Sequence, residues 1–440
     1  MTWGDAGATR PSGNRAGRVR DALQAITSDV SKNRRSIGAR PAWGQFLDVP
    51  ASNRQVGIYG TSSAIRILMN ASVGGTSAED AMPTLPGTDR SAATGAFEDD
   101  DLALTLKCCS IIEARASLGP PSTVMHVENV LLTSALGNVD LSQDLPTSLA
   151  GQYAGWGFAT KYADVDFTEV RPDVLATAHV ILALRTARVA SRVPATEREA
   201  VNRQIAYAMR WIAAEVNSKS DSSPTEWALT LLAAKTFLGE PEMLGMPAEK
   251  LVRQLRTTLK RRLRGGRIAA LPRAEPRFYS VPRTGGRTEN HYVTFPVHYI
   301  VSWALAADVS GRLPRQRQIF DVCDRLSQAV YSHGAPVSIA TGRKSITDSL
   351  YAVNLLRAVS ARVNAIDSNA VRRWGPHLAS VAATGLACLV LLGGAVVAGV
   401  ISVSGDPTEV RGIATFAVGI LPIPAVALGR QAWELGRRGP

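Results

Sequence analysis

Leu378–Val403 reads LASVAATGLACLVLLGGAVVAGVISV and holds no charged side chain. At ~1.5 Å of rise per residue a helix of this length reaches ~39 Å, beyond the ~30 Å hydrocarbon core of a bilayer. A second uncharged run, Gly412–Gly429 (GIATFAVGILPIPAVALG), is 18 residues long and just sufficient to span. Between them lies SGDPTEVR, Ser404–Arg411, short and turn-forming. The pair reads as a helical hairpin that crosses a membrane twice; the alternative is a pair of buried core helices. Pro422 and Pro424 must kink or break the second span. In the first, Gly394 and Ala398, and Ala395 and Gly399, are small residues four apart, a spacing that permits close helix contact and a homo-oligomer through the hairpin, with simple tolerance of small residues in a membrane helix as the alternative.

Arginines set the orientation. Arg372 and Arg373 precede the first span, and Arg430, Arg437 and Arg438 follow the second. The connecting loop carries Arg411 with Asp406 and Glu409. This bias puts both termini on the cytoplasmic side of the inner membrane and the loop outside. The first 40 residues lack an apolar run of signal-peptide length, an independent reason to expect the body in the cytosol. The four cysteines, Cys108, Cys109, Cys323 and Cys388, form no spaced pair of pairs, so neither a disulfide framework nor a zinc cluster is expected.

The chain has 440 residues, 45% of them hydrophobic, which suits a soluble protein with a membrane segment added rather than a multispanning transporter. Three parts are expected: a flexible arm with a short helix over 1–40, a cytosolic helical domain over 41–370, and a membrane domain over 371–440. Helical periodicity runs over Arg15–Asn33, Asp101–Ser117, Val124–Leu136, Pro172–Val189, Glu197–Val216, Pro224–Leu238, Ala248–Leu263, Thr294–Val309, Leu313–Tyr331 and Ile346–Ala365. A further apolar helix follows GIYGTSSA, with Thr61 or Ser62 as its capping hydroxyl. Few segments alternate with period two, so the body is read as all-α. Several helices open alike, with Pro, Thr or Ser followed by small residues among large apolar ones: Pro172–Leu184, Pro224–Ala234, Pro296–Ala306 and Thr347–Leu356. Recurrence at about 50 to 70 residues suggests stacked helix pairs.

Gln152-Tyr153-Ala154-Gly155-Trp156-Gly157-Phe158 resembles the glycine and aromatic turn of terpene cyclases and protein prenyltransferases, the α/α-toroid superfamily, and GIYGTSSA resembles an inner-helix entry of such toroids. The resemblance spans roughly Trp43 to Ala365 and implies a barrel of paired helices around a central cavity. Trp43, Tyr59, Trp156, Asp164, Asp166, His179, Trp227, His291, His298 and Trp303 are candidates to line it. The family's chemistry does not transfer. Asp164-Val165-Asp166-Phe167 supplies half of a DxDD motif, Glu98-Asp99-Asp100-Asp101 lacks DDxxD spacing, and a zinc set from Cys323 with His291 or His298 has no supporting motif. GxxxxGK[ST], GxSxG and HExxH are also absent from the sequence. No catalytic residue, metal or cofactor is assigned.

Arg253–Arg287 carries eleven basic residues against Glu275 alone, most of the chain's net +12. Its glycines and prolines read as a loop in the second half. Arg261, Arg262, Arg264, Arg267, Arg273 and Arg277 are candidates for an anionic ligand or lipid headgroups, with a solvated loop as the alternative. Phe278 and Tyr279 are too few for a stacking platform, so nucleic acid is not an expected partner. His291 and His298, seven apart, would share a face if helical. Asp164, Asp166, Glu169 and Asp173 form either a cation site or a loop feeding a helix N-terminus. These readings lead to a membrane-anchored cytosolic sensor or binding protein, by analogy a bacterial immune-type effector acting through its hairpin. A membrane-bound terpene cyclase or prenyltransferase-like enzyme is the second reading, and a non-catalytic membrane scaffold the third.

Overall fold

The computed structural model describes residues 15–37, 40–49, 56–71, 103–117, 139–140, 154–161, 164–192, 195–240, 243–263, 267–307 and 316–362. By its contacts the chain divides into Met1–Ala361 and Arg362–Pro440. Both expected spans, with Gly394, Ala395, Ala398 and Gly399, lie outside the described residues, as do the Met1–Asn14 arm, Glu98–Asp101, Val124–Leu136 and Arg264. Among the described residues no helix is long and apolar enough to cross a membrane.

The first unit is mostly helical, with ten α-helices among the described residues. They are α1 (Arg15–Lys32), α2 (Ile58–Ala71), α3 (Thr105–Ser117), α4 (Val174–Thr186), α5 (Ala195–Ser218), α6 (Pro224–Lys235), α7 (Ala248–Arg262), α8 (Val297–Ala306), α9 (Gln316–His333) and α10 (346–362). Their sequences sort them into two sets. In α1 only Val19, Ala22, Ile26 and Val30 are buried, and in α7 only Ala248, Leu251, Val252, Leu255 and Leu259: one apolar stripe each. In α4 and α6 nearly every residue is buried, Trp227–Ala234 without a break. A helix apolar on all faces must be covered on all faces, so these belong to the interior. Contacts pass from α2 to α3, α3 to α4, α4 to α6 and α6 to α8. The striped helices cover this series: α1 packs on α2 and α9, α5 on α4 and α6, α7 on α6, and α9 on α8.

Two loops bind successive interior helices in the same way. The Trp156 amide donates to Thr177 Oγ1 of α4 and that hydroxyl donates back to the Trp156 carbonyl, while Asp173 N also donates to it. Two residues on, the Phe158 carbonyl accepts from Thr105 N, and Thr160 N donates to the Ala103 carbonyl at the head of α3. The Trp43 loop repeats this with Thr61 and Gly57 of the α2 entry, then with Ile346 N onto the Gln45 carbonyl and Leu47 N onto the Lys344 carbonyl at the head of α10. So α10 stands to α2 as α3 stands to α4. With Tyr351 of α10 beside Trp303 of α8, the interior series returns on itself. Gly60 and Gly157 make these close approaches feasible, since a Cβ would lie 2.6 Å from the Trp43 carbonyl oxygen or 2.4 Å from the Arg171 carbonyl oxygen.

Three expectations are corrected. Thr61 lies inside the first turn of α2, not at its cap, and its hydroxyl serves the Trp43 loop. The second half of the basic segment is not a loop: β5 (Glu275–Arg283) and β6 (Arg287–Phe295) form an antiparallel hairpin, with Glu275 opposite Phe295 and Arg283 opposite Arg287. Gly285 and Gly286, at φ +85° and +74°, close its turn. His291 therefore sits on β6 and His298 on α8, which starts at Val297, so they do not share a helix face. The other strands, β1 (Arg35–Ile37) with β2 (Arg40–Ala42) and β3 (Val139–Asp140) with β4 (Ala154–Gly155), are short.

Candidate functional site

Tyr59, His179 and Trp303 meet where the interior helices face one another. The same place holds Arg66, Cys109, Glu113 and Tyr351, which sequence reasoning missed because they come from three helices far apart in the chain and form no local motif. Arg66 Nη1 lies 2.6 Å from Glu113 Oε2, both side chains largely buried. Burial raises the Glu113 carboxyl and the Arg66 charge opposes that rise. Burial, with help from Arg66, lowers His179 to about 4, so its imidazole is neutral at pH 7. Its Nε2 lies 3.3 Å from the Tyr351 hydroxyl. Cys109 is pushed well above the usual thiol range by burial, then by Glu113, and remains a thiol. No activated nucleophile results. The space left is about 30 Å³, enough for about one water and too little for an isoprenoid chain.

The larger opening lies elsewhere. A groove of about 400 Å³ is bordered by α8, α9, the segment ahead of β5 and the start of α10. Val322, Leu326 and Val330 of α9 form an apolar wall, and Val337 and Ile339 stand exposed at the edge. Arg273, Arg325, His298 and His333 supply polar heads, and buried Asp348 and half-buried Tyr299 also line it. His298 Nε2 is 3.0 Å from the Leu271 carbonyl. Burial raises Tyr299 to about 12, with Asp348 adding to the rise and Arg273 opposing it. Burial raises Asp348 to about 6, against hydrogen bonds from Ser345 and Ser338. A further opening of about 290 Å³ between α1 and α9 contains Asp324, but Arg15 and Arg18 already bond that carboxylate and hold it below its usual range.

The remaining candidates have structural partners. Trp43 is buried, its indole donating to the Val30 carbonyl at 2.8 Å. Trp156 is buried in its loop, and Trp227 lies under the Arg262 guanidinium, 5.0 Å from the ring centre. Tyr279 stacks between Phe158 and His291, holding the hairpin on the Trp156 loop. Three of the four acids do separate work: Asp164 pairs with Arg283, Asp166 caps a short 3₁₀ turn over Phe167–Glu169, and Asp173 caps α4. Among the described residues no three His, Cys, Asp or Glu side chains are grouped to hold a metal ion.

The basic segment is less available than its charge suggests. Arg277 pairs with Glu226 and Glu275, and Arg283 with Asp164 and Glu289. Arg262 donates to the Lys219 and Ser220 carbonyls. Arg261 and Arg267 are exposed, and Arg273 borders the groove. Set against known proteins, the chain matches no family model, no curated protein and no solved structure.

Proposed function

We propose that this is a membrane-anchored binding protein, with an α/α-toroid-like helical body that takes its ligand in the groove beside α8 and α9. The 378–403 and 412–429 hairpin attaches the body to the inner membrane and passes on occupancy as a sensor–effector would. One contrast supports the reading: the interior is packed to about 30 Å³, while the groove offers about 400 Å³ with convergent polar groups over an apolar wall. The interior polar groups then serve to fix helix register.

Cell fractionation tests the anchor. The full chain should pellet with membranes, resist alkaline carbonate and enter solution with detergent. A chain that stays in the supernatant overturns it. Membrane potential measured during expression tests the effector half, which is lost if cells with abundant membrane-inserted protein never depolarise.

A further inference from the structure

Asp348 is 8% exposed and borders the groove. Its hydrogen-bond partners are Ser345 and Ser338, and no ion pair reaches it among the described residues. A buried carboxylate held by hydroxyls alone is an uncompensated charge. At the rim the sign reverses, with Arg273 and Arg325 exposed. A purely cationic ligand would meet the rim arginines, and a purely anionic one would meet Asp348. We infer that the groove binds a small zwitterion with an apolar body, its amine on Asp348, its carboxylate at Arg273 and Arg325, and its side chain against Leu326 and Val330.

This rests on the groove being the binding site. A volume of about 400 Å³ lies at the small end of the range for small-molecule sites and suits an apolar amino acid or a very short peptide. Tyr299, protonated at neutral pH, offers the amine end an uncharged hydroxyl oxygen as a hydrogen-bond acceptor. The titratable and charged groups around Asp348 are His298 and Tyr299 on α8, Tyr59 on α2, Tyr351 on its own helix, Arg273, and Arg325 and His333 on α9.

Calorimetric titration of the full chain in detergent decides this, with L-phenylalanine, phenethylamine and 3-phenylpropanoate as probes. Phenylalanine should bind at least about tenfold more tightly than either singly charged probe, one pairing being lost in each. Its affinity should fall about tenfold from pH 7.5 to pH 5 as Asp348 takes up a proton. Asp348→Asn should weaken binding at pH 7.5 and remove that fall, which separates Asp348 from the two imidazoles. Ile339→Asp, at an exposed position, should weaken phenylalanine binding without a change in melting temperature. Tight binding of 3-phenylpropanoate, unchanged affinity in a folded Asp348→Asn or Ile339→Asp protein, or no binding of phenylalanine to the folded full chain would each overturn the inference. A chain that resists carbonate extraction yet ignores phenylalanine fails here alone, and one that binds phenylalanine but leaves the membrane fails the anchor alone.

Discussion

Thr177 and Trp156 bond to each other in both directions: the Trp156 amide donates to Thr177 Oγ1 at 2.8 Å, and Oγ1 donates to the Trp156 carbonyl at 3.0 Å. One hydroxyl thus satisfies both backbone groups of a buried residue that belongs to no regular strand. Thr61 does the same for Trp43. Thr177→Val keeps the shape and leaves the Trp156 amide unpaired, while the carbonyl keeps the bond from Asp173 N. It should lower stability by about 1–3 kcal/mol, while Thr177→Ser should retain most of it. Chemical denaturation of both variants checks this, and equal losses would show that the methyl group, not the hydroxyl, matters.

Glu113 and Arg66 form the one described ion pair with both side chains at or below 15% exposure. Glu113→Gln leaves the guanidinium enclosed without its counter-charge, a loss of about 3–5 kcal/mol. The double replacement Arg66→Met with Glu113→Leu removes both charges and should recover most of the stability. Melting curves of the two proteins side by side test this, and a double variant no better than Glu113→Gln would refute it.

The helices were the legible part of the sequence because their signals are local. Pro224 ahead of small and large apolar residues announces α6, and the structure adds a capping box between Ser223 and Glu226. The β5–β6 hairpin was hidden. Its inward positions include Arg277 and Arg283, whose partners Glu226 and Asp164 are distant in the chain, so no apolar alternation appears. The repeated loop was half visible: its Trp-Gly pairs stand out, but Trp43 lies 18 residues before Thr61 and Trp156 lies 21 before Thr177, so no fixed offset links them. The groove was not legible, since its residues come from separate stretches between Ala269 and Asp348 and only folding assembles them.

His179 and Asp348 should pull acid stability in opposite directions. The imidazole falls from 6.5 to about 4, so its contribution is present above pH 6.5 and is lost as pH drops from there towards 4. The Asp348 carboxyl rises from 3.8 to about 6, so its contribution is complete below pH 3.8 and is lost as pH climbs through 6. At pH 7.5 Asp348→Asn should therefore stabilise the body by about 1–3 kcal/mol, an advantage that disappears by pH 4. His179→Gln should instead flatten the fall in stability between pH 6.5 and 4. Denaturation across pH 4–8 tests both, and parallel profiles for the wild type and either variant would contradict the assignment.

Position within the basic segment should separate folding from surface attraction. Arg277 bridges Glu226 at the head of α6 and Glu275 in β5, with the three side chains between 13% and 31% exposed. Arg277→Gln removes both bonds and should lower stability by about 1–3 kcal/mol. Arg261 and Arg267 are exposed, so replacing either with Gln should shift stability by less than about 0.5 kcal/mol. If the exposed arginines meet anionic headgroups, Arg261→Gln with Arg267→Gln should weaken attachment to phosphatidylserine vesicles at low salt and lose that effect near 1 M salt, where screening reduces the Debye length to ~3 Å. Vesicle co-sedimentation of detergent-exchanged protein supplies the measurement. Equal attachment of the wild type and the double variant at every salt concentration would leave the segment with a folding role only.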